Sequence, residues 1–182
     1  MQIYSSLCRE NCCKNTGRPS FTWMRTRDLC RAISPVSVNS PFGKIGMTIC
    51  YDYVFPEYIR YLAFKGIDLL VHSTAWLTTN ECERWHYNDG AYRAMAMTRA
   101  LENGFYFISA NHWGNDDRDR TLQGIGQSSI ISPWGEILAE VPEDEGVAIA
   151  DVDFDKSEGW RAKVVPYISD YHEAAERLDF LH

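Results

Sequence analysis

Gly46 to Glu57 reads GMTICYDYVFPE: an apolar run of β type that ends on Cys50, then Tyr51 and Asp52, and soon afterwards Pro56. A cysteine inside a strand is one more small apolar side chain, and free cysteine is among the most buried residue types. At a strand's end, where the chain turns toward a helix, its sulfur can instead face a cleft. The thiolate is the nucleophilic form, and a nearby cation, a helix N-terminus or a base favours it. Proline suits the first turn of a helix. The amides between Cys50 and the Pro56 helix are therefore placed to favour a thiolate and to hydrogen-bond the oxyanion of a tetrahedral intermediate. This is a strand–turn–helix nucleophile, and its chemistry is attack on a carbonyl-type carbon.

Other reactive residues form weaker sets. Cys8, Cys12 and Cys13 could be metal ligands, but no His or Cys follows at finger-like spacing and adjacent cysteines do not make a usual zinc pair, so no metal is expected. His72, His86 and His112 would permit a Cys–His pair. His72 ends an expected strand beside that of Cys50, where a hydrogen-bonded strand-end histidine is the commoner case.

Composition bounds the partners. The 182 residues, 45% hydrophobic and 24% charged, fit one globular domain. A formal net charge of -7 repels nucleic-acid phosphates and anionic membranes. The one basic grouping, Arg25, Arg27 and Arg31, is interrupted by Asp28. No apolar run approaches the ~20 residues a membrane span needs, and MQIYSSLCRENCCKN lacks the apolar block of a secretory signal. The expectation is a cytoplasmic protein with reduced thiols and neither a nucleic-acid nor a membrane partner.

The elements that must position Cys50 follow from periodicity. Residues 1–42 carry no clean period and read as an irregular or divergent segment; residues 43–182 read as the domain. KIGMTIC is a buried strand, PEYIRYLAFKG a helix stopped by Gly66, and IDLLVHS a second strand, the spacing of a crossover onto a parallel neighbour. A helix is expected from about Trp85 to Leu101, with Tyr92, Met95, Ala96 and Arg99 at spacings of three and four. FYFISAN, SSIISP, ILAEV and VAIADVD read as strands, and Tyr171 to Leu178 as a helix. Glu57 and Arg60 are spaced to pair on one helix face. The fold class is α/β.

ICYDYVFPEYIRYLAFKGIDLL resembles the nucleophile segment of the nitrilase superfamily, the carbon–nitrogen hydrolases: strand, Cys, aromatic, Asp, then Phe-Pro-Glu, an Arg, Leu-Ala and a turn into the next strand. Arg99, Ala100, Glu102 and Asn103 match the family's helix end, Ala110, Asn111 and Gly114 the following strand, and GQSSIISPWGEILAE a later segment. The resemblance covers about Gly43 to Asp153. It implies an α-β-β-α sandwich, commonly a homo-oligomer, and a Glu-Lys-Cys triad with no metal or organic cofactor. Cys50 takes the nucleophile's position, the backbone amide of Tyr51 shares in the oxyanion hole, and Trp76 and Asn111 match pocket-proximal positions. Tyr-Asp after the cysteine looks like the amidase and carbamoylase branches. Where carbamoylases carry two arginines this chain has Tyr53 and Val54, which imply uncharged substrate contacts.

The chain departs from the family's pattern upstream. Only residues 1–49 precede Cys50, and the strand bearing the base Glu is not recognised there, so the sandwich is expected to be incomplete at its N-terminus, as in a truncated or mis-started copy. Lys14 stands at an admissible distance for the triad lysine, although CCKNTG does not match that lysine's context; Glu10 does not fit as the base. The leading expectation is hydrolysis of a small linear amide through a Cys50 thioester. The alternatives are a catalytically incomplete binding or interaction subunit and a Cys–His hydrolase of unrelated mechanism.

Overall fold

The computed structural model describes residues 36–78, 84–115 and 122–177. Its first strand, β1 (Val36–Ser40), forms a hairpin with β2 (Gly43–Ile49), Val36 opposite Met47 and Ser40 opposite Gly43. Regular structure thus begins before residue 43, where periodicity in the sequence sharpens.

From β2 the chain passes through a short turn into α1 (Pro56–Phe64), whose Pro56 occupies the first helical turn, where its missing N–H costs nothing. It returns as β3 (Leu69–Thr74), parallel to β2 as the spacing implied. After β4 (Leu77–Thr78), α2 (Gly90–Asn103) leads to β5 (Tyr106–Asn111), parallel to β3. β6 (Trp113–Asn115) and β7 (Gln123–Ile125) join β4 in a three-stranded sheet ordered β4-β7-β6. β8 (Ser128–Ile131) and β9 (Ile137–Val141) extend the main sheet antiparallel, giving the order β1-β2-β3-β5-β8-β9. Helices α3 (Phe154–Lys163) and α4 (Tyr167–Arg177) follow.

Both central helices bury one face in a shared core with the sheet. Ile59 and Leu62 of α1, Tyr92 and Ala96 of α2, Leu70 of β3 and Phe107 of β5 are fully buried in one cluster. Each large aliphatic side chain removed from water there contributes about 1.5–3 kcal/mol. Because side chains alternate along a strand, the residues level with Leu70 and Phe107 two positions on, Thr48, His72 and Ser109, share that inward face, and all three are buried.

Several elements differ from the sequence reading. α2 starts at Gly90 rather than near Trp85, because the Asn88 side-chain carbonyl accepts from Gly90 N–H at 2.9 Å and forms a turn there. VAIADVD is not a strand: Val147 and Ile149 are 84% and 83% exposed, and a β-type pattern without a neighbouring strand forms no ladder. α3 was not expected; its start is fixed by Asp153, whose carboxylate accepts from Lys156 N–H at 3.0 Å. Arg60 pairs not with exposed Glu57 but with Glu102, at 3.5 Å.

α2 stops at Gly104, which takes the left-handed conformation (φ 67°) and donates its N–H to Ala100 O at 2.8 Å. A Cβ there would strike the aliphatic stem of Arg161, whose guanidinium bonds Ile67 O at 3.0 Å and Asp68 Oδ1 at 2.9 Å. Gly104→Ala is therefore expected to cost about 1–2 kcal/mol, seen as a lower urea midpoint with an unchanged m-value. A midpoint at the wild-type position would contradict this packing.

Candidate active site

At the end of β2 the backbone bends sharply: Cys50 has φ 50°, in the left-handed region, which costs an L-residue about 1–2 kcal/mol. Residues Cys50–Val54 then form a 3-10 turn, so α1 begins at Pro56, one short turn further from the cysteine than a direct strand-to-helix passage would bring it. The turn is closed by Asp52, whose carboxylate accepts from Ile49 N–H at 3.0 Å and whose carbonyl accepts from Phe55 N–H at 3.3 Å. Cys50 is a partly exposed free thiol. Tyr51 is 44% exposed, with its ring edge-on to Phe55 at 5.4 Å.

Tyr53 points the other way. Expected to contact substrate, it is fully buried, and its hydroxyl donates to Tyr92 O at 2.8 Å. Its ring lies among His72, Trp76, Tyr92 and Phe107, and burial raises its phenol pKa far above the usual range. Tyr53 is the buried residue of this turn and joins it to the core. Val54 is partly buried and packs against the same cluster, so its side chain also faces protein.

The carbonyls of these two residues are held by a buried cation. Arg99 donates from Nε to Tyr53 O and from Nη2 to Val54 O, each at 3.4 Å, while its Nη1 meets Glu102 Oε1 at 2.9 Å. Glu102 also receives Arg60, which donates to the Glu102 carbonyl at 2.6 Å and lies over the Tyr167 ring at 4.1 Å. Burial lowers the Arg60 pKa below its ordinary value. One carboxylate thus balances two arginines whose side chains are each 10% exposed, and such a group is costly to remove because it leaves buried charge behind.

Beneath the cysteine lies a polar row. His72 Nδ1 is 2.9 Å from Thr48 Oγ1, and Tyr92 OH bonds Ser109 Oγ. Burial lowers the His72 pKa from 6.5 to about 4, so the ring is neutral near pH 7. Burial raises the Tyr92 phenol to about 12, with the Ser109 hydrogen bond working in the opposite direction. The Cys–His pair is therefore not formed: the bonded nitrogen of His72 meets Thr48. Tyr92, Thr48 and Ser109 were not singled out as site residues from sequence, since each reads there as ordinary helix or strand periodicity.

Trp76 and Asn111, matched from sequence to pocket-proximal positions, are bonded to each other. Asn111 Oδ1 accepts from Trp76 N–H at 2.8 Å, and Asn111 Nδ2 donates to Gly126 O at 2.6 Å. The amide of Asn111 is thus committed to tying two loops together. The Trp76 ring packs on Tyr53 at 5.6 Å and Tyr92 at 5.5 Å, and its Nε1–H donates to Tyr87 OH at 3.1 Å. Lys14 and Glu10 lie outside the described residues. Among the described residues no carboxylate or ammonium bonds the Cys50 sulfur.

The described residues thus set a partly exposed cysteine at a left-handed bend beside a mixed sheet, with the turn after it braced by a buried Arg–Glu network. Residues 12–162 match the carbon-nitrogen hydrolase family, and the chain belongs to it. It is 35% identical over 122 residues to a deaminated glutathione amidase from Synechocystis, a match covering 67% of this chain and 42% of that protein. In fold it resembles a carbon-nitrogen hydrolase from Helicobacter pylori (TM-score 0.69, 24% identity, 76% of this chain and 49% of that one). It also resembles a variant of an amidase from Nesterenkonia sp. AN1 (TM-score 0.56, 26% identity, 72% and 47%) solved with acrylamide added to its active-site cysteine. The chain spans less than half the length of these three relatives.

The buried neutral His72 makes stability depend on acidity. An unfolded histidine titrates near 6.5 and this one near 4, so between those values the unfolded chain binds more protons and stability falls as pH falls. The loss is expected to reach about 2–3 kcal/mol by pH 4.5. It is read as the difference in urea midpoint between pH 7 and pH 4.5, and it should be absent from His72→Phe; equal losses in both proteins would contradict the assignment.

Proposed function

We propose that the chain carries the nucleophile of an amidase that cleaves a small linear amide through Cys50. The observation that carries this reading is the partly exposed thiol at a left-handed bend, in a segment that belongs to a carbon-nitrogen hydrolase family. The thiolate attacks the amide carbonyl, forming a C–S bond and an oxyanion, which the Tyr51 N–H and the ammonium of Lys14 stabilise. Collapse breaks the C–N bond, the amine leaves with a proton from the conjugate acid of a carboxylate base, and a thioester remains. Water, deprotonated by that base, then releases the acid and the thiol.

The substrate class is supported by the amidase name of the Synechocystis relative and by the Tyr51-Asp52 pair. Neither a metal nor an organic cofactor enters the scheme. The same reading takes the protein as cytoplasmic and homo-oligomeric. A net charge of -7 disfavours nucleic acid, and among the described residues no helix is long and apolar enough to cross a membrane.

The second reading from the sequence is a catalytically incomplete member acting as an interaction subunit. Incubation with a short aliphatic amide separates the two. The amidase reading expects ammonia release and an acyl adduct on Cys50 by mass spectrometry, both abolished in Cys50→Ala. Ammonia release that survives Cys50→Ala would overturn it, and neither ammonia nor adduct from the folded wild-type chain would favour the second reading.

A further inference from the structure

We propose that His72 is the positioning residue that fixes the Cys50 bend, by bonding Thr48 on its entry side and packing under Tyr53 on its exit side. The reading of Cys50 as a nucleophile underlies the catalytic part of this inference. Thr48 is paired in register with His72 across the parallel β2–β3 ladder and stands two residues before the cysteine. Its hydroxyl is 2.9 Å from His72 Nδ1. Tyr53 stands three residues after the cysteine, and its ring lies 4.7 Å from the imidazole at an interplanar angle of 32°. One side chain, fully buried, therefore touches both flanks of the one described β-strand end that turns through a non-glycine left-handed residue into the 3-10 turn.

A packing role alone explains this poorly. His72 Nε2 is buried without a hydrogen-bond partner among the described residues, and leaving such a group unpaired costs about 1–3 kcal/mol. A phenylalanine, as in Phe107 on the neighbouring strand, would fill the space without that cost. What the imidazole adds is a directional bond to Thr48 together with a flat face for Tyr53. A non-glycine residue persists in the left-handed region only where its surroundings over-determine it, and the bond and the stack do so from opposite sides. Arg99 completes the clamp by holding the Tyr53 and Val54 carbonyls.

The test uses alkylation of Cys50 by iodoacetamide, followed by peptide mass spectrometry, in the full chain. His72→Phe keeps the stack and loses the bond; Thr48→Val loses the same bond from the other side; Thr48→Ser retains it. His72→Phe and Thr48→Val are each expected to slow Cys50 alkylation about tenfold or more. The double variant should be no slower than either single one, since one contact is removed twice, and Thr48→Ser should stay within about twofold of wild type. With an amide substrate, kcat should fall in parallel while KM holds. Alkylation at the wild-type rate in folded His72→Phe or Thr48→Val, or losses that multiply in the double variant, would overturn the proposal. Should the wild-type chain alkylate without turning over amide, the amidase reading fails while the alkylation series still decides the role of His72.

Discussion

Everything proposed for this chain depends on a backbone constraint at one residue, the left-handed φ of 50° at Cys50. An ordinary strand end would carry the cysteine onward along β2 with its side chain continuing the alternation of the sheet. The bend breaks that alternation and separates two directions: Cys50 and Tyr51 stay partly exposed, while Tyr53 goes into the core. Holding that geometry against its intrinsic cost is work for the surrounding contacts, and strain of this kind gathers at functional sites.

Those contacts come from three layers. The sheet supplies Thr48 and His72 on adjacent parallel strands. The aromatic cluster of Tyr53, Trp76 and Tyr92 fills the space between the turn and α2. Arg99, balanced by a Glu102 that it shares with Arg60, holds two carbonyls of the turn from α2. The buried arginines gain little as a salt bridge alone. Their effect is to fix the position of backbone groups that would otherwise be buried without partners.

Much of the fold was legible because its signals are local. The apolar run before Cys50, Pro56 at a helix start and Gly66 after a helix end each act within a few residues. The misses share a physical origin in longer range. β1 carries alternating Val36 and Val38 but is only five residues long, with Ser37 between them and Asn39 and Ser40 after, and its strand character depends on β2. VAIADVD has the alternation and lacks the neighbour. α3 contains Gly159 and buries only Ser157 among its residues, so no apolar stripe announces it. At the site, the position of Cys50 followed from the strand end and from family resemblance. The inward direction of Tyr53 did not, because the 3-10 turn that sets it is closed by Asp52, and the pairing of Arg60 with Glu102 crosses between two helices.

The central claim is that Cys50 is held in a conformation that an L side chain adopts at a cost. Substituting it by glycine and by alanine, and comparing the urea unfolding of the two variants, isolates that cost, since both lose the thiol and only alanine keeps a Cβ. Glycine usually destabilises a strand end relative to alanine. The left-handed bend predicts the reverse, with Cys50→Gly more stable than Cys50→Ala by about 1 kcal/mol. Alanine as stable as glycine, or more so, would mean that the backbone at residue 50 is relaxed and that no bend presents the sulfur.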